Sequence, residues 1–196
     1  MDGTVVDSMP FLRELAIALV AADEQPENSM RALYDETFGK PIGEQFHEWN
    51  NRFGHVSGSR INAEKMTRLY EAVHRLAAPH FPMTDFGRSL STFSRENHPE
   101  WRFALVTSTH RKIVDIMPQI RNTRWDYIGG FLQGLDKRGQ IIQASKRAGV
   151  HFSTTVYVGD SPSDQALARE MDIPYFFPNG TLMDTLLGKQ VFTGSV

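Results

Sequence analysis

The chain has 196 residues, 40% of them hydrophobic and 22% charged, with 21 Lys and Arg against 23 Asp and Glu for a formal charge of −2. That length suits one domain, or one core with an insertion, and the near-neutral balance argues against a nucleic-acid or anionic-membrane binder. The absence of cysteine excludes disulfides, thiolate metal sites and a cysteine nucleophile. With no apolar run near ~18 residues and no basic-then-apolar leader, the expectation is a soluble cytoplasmic protein without membrane spans.

From Pro10 to Pro99 the apolar residues keep helical spacing. Phe11, Leu12, Leu15, Leu19 and Val20 share one face, and Met30, Leu33, Tyr34 and Phe38 another. Met66, Leu69, Val73 and Leu76 follow the same rhythm. Lys40-Pro41-Ile42-Gly43 and the run from Gly54 to Ser59 read as connections between these helices. The stretch is a block of helices without strands.

After Trp101 short apolar runs alternate with helices. Phe103 to Val106 reads as a buried strand, His110 to Met117 as a helix, and Trp125 to Ile128 as a weaker strand. Lys137 to Ala148 is helical and stops at Gly149. Thr155 to Val158 is a strand rich in β-branched residues, Ser161 to Met171 a helix, and Pro174 to Phe177 a last short strand. Such alternation implies an α/β fold with a doubly wound parallel sheet, whose ligands sit beyond the carboxyl ends of the strands.

Polar groups stand where that rule puts the chemistry. Val106 leads into Thr107-Ser108-Thr109, and Val158 into Gly159-Asp160-Ser161-Pro162-Ser163-Asp164. The chain opens on Asp2-Gly3-Thr4-Val5-Val6-Asp7-Ser8, and Lys137 begins a helix. Carboxylates are hard ligands for Mg²⁺, hydroxyls and helix N-terminal amides hold phosphate oxygens, and a lysine offsets their charge.

In order and spacing these segments resemble the motifs of the haloacid dehalogenase superfamily of Mg²⁺-dependent phosphohydrolases, in its phosphoglycolate phosphatase-like branch. The resemblance implies a Rossmann-like core from residues 1–9 and 100–196 and an inserted helical cap from residues 10–99. It implies Asp2 as general acid/base and, through its carbonyl, a metal ligand. Asp160 would bind Mg²⁺, with Asp164 as a further ligand or as the acceptor for Lys137. Thr107, the amide of Ser108 and Lys137 would hold the phosphoryl group of a small phosphorylated metabolite.

The family's nucleophile is the first Asp of Asp-x-Asp. With Asp2 as the second, that residue falls one position before Met1, together with the core strand leading to it. The expectation is therefore an N-terminally shortened chain, lacking its first core strand and inactive as it stands. Three or four large side chains on such a strand contribute roughly 5–12 kcal/mol when buried, against ~5–15 kcal/mol for a whole domain. A nucleophile-less phosphate-binding or regulatory protein is the alternative from another class.

Other residues have plainer readings. Asp7 and Ser8 are expected to cap the first helix. Trp49, Phe53, His55 and Arg60 are expected to serve cap folding, and Arg111 and Lys112 either add positive charge to the pocket or stay solvated. The seven histidines have no metal-ligand spacing, and His47, His55, His74 and His80 are expected to be surface or partly buried residues of the helical block. A phosphomutase would use another cap on the same core. A phosphonate hydrolase would need a Schiff-base lysine, for which only Lys65 lies well inside a cap helix. A dehalogenase is disfavoured, because the Gly159–Asp164 run suits a bound metal.

Overall fold

Local sequence accounts for where most helices begin and end in the computed structural model, which describes residues 2–22, 27–54, 60–93, 98–131, 135–179 and 182–187. Helix α1 (Met9–Ala21) has Pro10 in its first turn, where no amide is needed, and buries Leu12, Ala16, Ile17 and Val20. It packs on α2 (Glu27–Glu36), which packs on α3 (Ile42–Phe53), which packs on α4 (Ala63–Ala77). Ile42 and Gly43, expected in a connection, form the first turn of α3. Pro41 holds the extended backbone just before it (φ −55°, ψ 137°), and Glu44 complements the helix N-terminus. The run 55–59, also expected as a connection, lies outside the described residues.

Helix α4 corrects the expected face. Asn62 caps it by accepting the Lys65 amide, and its buried residues are Ala63, Met66, Tyr70 and His74. Leu69 is 41% exposed and Leu76 77%. The helix has turned its aromatic stripe inward, where Tyr70 meets Phe46 edge-on and His74 meets Phe81. Trp49 is fully buried, meets Phe53 at a tilt and donates its indole N–H to Ser29, as a core residue of the helical block does.

The chain then returns to its own beginning. Thr84 N–H donates to Val5 C=O, Asp7 N–H to Pro82 C=O, and Val6 bridges Met83. Helix α5 (Asp85–Ser91) lies inside the range expected for the cap, but it packs on α10 (Leu182–Leu187). Phe86 and Leu90, one turn apart, join Leu182 and Met183, with Phe103, Val158 and Phe176 against them. Its partners are thus in the C-terminal half.

That half has the expected alternation: β1 (Ala104–Leu105), α6 (Arg111–Val114), α7 (Pro118–Arg121), β2 (Tyr127–Ile128), α8 (Lys137–Ala148), β3 (Tyr157–Val158), α9 (Pro162–Glu170), β4 (Tyr175–Phe176) and α10. The helix expected over 110–117 is shorter, ending at Val114, and Pro118, which holds Met117 in extended backbone, starts a new helix. Among the described residues the strands β1–β4 pair in parallel, Ala104 opposite Tyr127 in one pair and Tyr157 opposite Tyr175 in the other. Among the described residues the sheet is two separate pairs, β1–β2 and β3–β4.

The ladder shows which edge of each pair has no strand partner among the described residues. Tyr127 and Gly129 donate to the carbonyls of Phe103 and Leu105, while Tyr157 and Gly159 donate to Pro174 and Phe176. Alternate residues of a parallel strand address opposite neighbours. Ala104 and Val106 therefore address the far edge of β1, and Val156 and Val158 the far edge of β3. Ala104 is exposed. No helix among the described residues is long and apolar enough to cross a membrane.

Candidate active site

The loops after β1 and β3 and the start of the chain meet the helical block around a cavity of about 340 Å³. Asp2, Thr107, Ser108, Lys137, Asp160 and Asp164 all line it. Residues spread over most of the sequence are thus brought to one place.

Asp2 is held by two hydroxyls. Ser8 donates to Oδ1 at 2.6 Å and Thr109 donates to Oδ2. Ser8 is fully buried and its hydroxyl makes no cap bond, so the expected capping role is replaced by this contact. After Asp2 the backbone turns sharply, with Gly3 N–H on Val6 C=O at 2.7 Å and Gly3 at φ 76°. The next residue, Thr4, donates to Asp160 Oδ1 at 2.7 Å and so ties the first motif to the fourth. A Cβ on Gly3 would collide with the Asp160 carboxylate. Gly3→Ala is expected to drive Asp160 off Thr4 and to destabilise the protein by about 1–2 kcal/mol from the left-handed backbone alone, read by urea unfolding.

Thr107 is 2% exposed. Its hydroxyl accepts the Thr109 amide at 3.0 Å, which curls the loop after β1. Beneath the loop lies Gln140 of α8, itself without exposure. Its Oε1 accepts the amides of Thr107 (3.0 Å) and Gly130 (3.1 Å), and its Nε2 donates to Thr107 C=O at 2.9 Å. Ser108 donates across to Gly39 C=O of the helical block at 3.1 Å, and Ser163 donates to Phe38 C=O at 3.3 Å. These bonds seat the 38–39 turn on the core loops.

Lys137 Nζ lies 2.7 Å from Asp164 Oδ1, with both side chains largely buried. Tyr157 donates to the same oxygen at 2.9 Å, and Ser161 donates to Oδ2 at 2.7 Å. Burial opposes ionisation of Asp164, but Lys137 and Ser161 outweigh it and hold the carboxyl below its ordinary range. Burial, with Asp164 adding to it, pushes the Tyr157 phenol well up. Asp160 goes the other way. Burial raises its carboxyl above the ordinary value despite the Thr4 hydrogen bond, so a cation beside it would relieve the cost of its charge.

The donor set suits Mg²⁺ better than a metal that demands a full protein cage. Among the described residues no three His, Asp or Glu side chains converge as a metal cluster. Mg²⁺ asks for less, being held by one or two carboxylates, waters and substrate phosphates. The Asp160 carboxylate, on the cavity, is of that kind, whereas both oxygens of Asp164 are engaged by Lys137, Tyr157 and Ser161.

Sequence reasoning passes over Thr109, Gln140 and His74. Hydroxyl and amide side chains carry no signal of their bonding partner. His74, expected at the surface or partly buried, is 3% exposed. Its spacing from Met66 and Tyr70 along α4 is the pattern that reveals the buried face. Arg111 pairs with Asp115 and donates to Ile128 C=O, away from the cavity, and Lys65 is exposed and outside its lining. Lys65 is therefore not placed for a Schiff-base role.

No family profile and no curated protein matches the chain. Solved structures do. A protein from Lactobacillus plantarum assigned as a phosphoglycolate phosphatase is 16% identical, at TM-score 0.69 over 97% of this chain and 89% of that one. A predicted phosphatase from Clostridium acetobutylicum is 17% identical, at TM-score 0.70 over 96% and 95% of the two chains. A HAD-superfamily hydrolase of subfamily IA from Geobacter sulfurreducens is 14% identical, at TM-score 0.57 over 95% and 93%. With its alternating strands, helical insertion and loops meeting at one cavity, the chain has the fold of the haloacid dehalogenase-like hydrolases.

Proposed function

We propose that this chain is the body of a phosphohydrolase acting on a small phosphorylated metabolite. The observation that carries the reading is the convergence of Asp2, Thr107, Lys137 and Asp160, from four distant segments, on one cavity. Thr107 and the Ser108 amide bind the phosphoryl oxygens. Lys137, oriented by Asp164, offsets their charge, while Asp164 serves as its acceptor. Asp2 gives its proton to the leaving oxygen and later takes one from the attacking water. Mg²⁺ held at Asp160 and the Asp2 carbonyl supplies charge neutralisation at the phosphoryl group when bound. A cavity of about 340 Å³ suits compounds the size of phosphoglycolate.

The attacking carboxylate belongs one residue before Met1, at the end of a strand lying between β1 and β3. The edges of those strands that have no partner among the described residues, and the bonds of Asp2 and Thr4 to the loops that follow them, support this reading. The test compares the chain starting at Met1 with one extended by an apolar strand ending in Asp. The extended chain is expected to hydrolyse phosphate monoesters with Mg²⁺, and the shorter one to lose 10³-fold or more, roughly the loss of a catalytic nucleophile. Equal turnover by both would remove the nucleophile assignment. Phosphate binding without turnover in either would favour a binding or regulatory protein.

A further inference from the structure

Burying a polar atom without a partner is costly, so such atoms are rare in native proteins. Among the described residues two side-chain atoms are in that position, Gln119 Oε1 and His74 Nε2. Only His74 lines the cavity. Its ring is clamped from two sides, edge-on by Tyr70 with centroids 6.0 Å apart and at a tilt by Phe81 at 5.9 Å. Its Nε2 stops 3.8 Å from Asp2 Oδ1, too far for a hydrogen bond. Asp2 is already held by Ser8 and Thr109, so it has no need of the histidine. An imidazole so fixed, beside the proposed proton donor and with its outer nitrogen unsatisfied, is shaped to receive something that enters the cavity.

The side from which it comes narrows what that is. The phosphoryl binders Thr107 and Lys137 belong to the C-terminal half, whereas His74 comes from α4 in the helical block. It sits with Tyr70, whose hydroxyl lies near that of Tyr34. His74 thus reaches the cavity from the helical block, beside Asp2.

We propose that His74 is a substrate-binding residue whose Nε2 hydrogen-bonds an oxygen of the leaving group, selecting phosphate monoesters with a short oxygenated carbon chain. This rests on the phosphohydrolase reading above and assigns the organic half of the same site. A histidine serving only as core packing would be replaced by Phe without penalty at the ligand, and with a gain in stability from removing the unpaired atom.

The experiment is calorimetric titration of the chain in Mg²⁺ with glycerol 3-phosphate and with inorganic phosphate, for wild type, His74→Phe and His74→Gln, alongside melting temperatures. His74→Phe is expected to melt at or above the wild-type temperature and to bind inorganic phosphate as wild type does. It should lose roughly tenfold in affinity for glycerol 3-phosphate, about the effect of one buried hydrogen bond. His74→Gln, which keeps an amide group near the position of Nε2, should recover most of that loss. If wild type binds inorganic phosphate and His74→Phe keeps the wild-type ratio of the two affinities, the assignment of His74 falls alone. If wild type binds neither compound, the phosphohydrolase reading falls and takes this one with it.

Discussion

Asp164→Ala is expected to destabilise the protein by about 3–5 kcal/mol and to weaken inorganic phosphate binding. The removed carboxylate accepts from Lys137, Tyr157 and Ser161, and its own side chain is 6% exposed against 17% for Lys137. Alanine leaves an ammonium and a phenol facing each other in a site with little water. Breaking a buried pair in this way costs more than the pair contributes, because the surviving charge has no partner. Urea unfolding measures the loss. The double variant Lys137→Met with Asp164→Leu separates structure from binding. It should recover most of the stability, since apolar replacement of a buried pair is often neutral, yet it should still bind phosphate poorly. A loss below about 1 kcal/mol for Asp164→Ala, the range of an exposed pair, would show that the bridge is solvated in solution.

Gln140→Leu is expected to cost about 3–6 kcal/mol although the two side chains are similar in size. The amide group of Gln140 satisfies two backbone N–H groups and one carbonyl around Thr107 and Gly130. Each group left buried and unpaired costs ~1–3 kcal/mol, and leucine offers none of them a partner. The effect should be local as well as global. Amide exchange at Thr107 and Gly130 should accelerate beyond what the lowered unfolding free energy accounts for, because the loop after β1 loses its floor. Wild-type exchange rates at both amides in Gln140→Leu would show that water or another side chain fills the role.

Elements were legible where one short-range rule dominates. Lys137 to Ala148 is a helix in both readings, with Asp136 capping it and Gly149 taking φ 66° at its end. The four strand positions after Trp101 were likewise legible as apolar runs, and each run contains a strand. Faces were less so. In α4 the spacing of Met66 fits either Leu69, Val73 and Leu76 or Tyr70 and His74, and hydrophobicity alone favours the aliphatic set. The helix buries Tyr70 and His74 because Phe46, Phe81 and the Tyr34 hydroxyl wait on that side. Similarly, α5 reads as one more helix of its block, and only its contact with α10 moves it to the other half.

The amino-acid order by itself determined the α/β alternation, the helical insertion and the set of carboxylate, hydroxyl and lysine side chains placed after the strands, since each depends on neighbours within a few positions. Tertiary structure decided which of them share a cavity, that Asp164 is occupied by Lys137, that Ser8 and Thr109 hold Asp2, and that His74 is buried with an unpaired nitrogen. The physical reason is range. Helix and strand periodicity acts over one or two turns, whereas a hydrogen bond such as Thr4 to Asp160 joins atoms 156 residues apart, and no local pattern encodes which partner folding will bring.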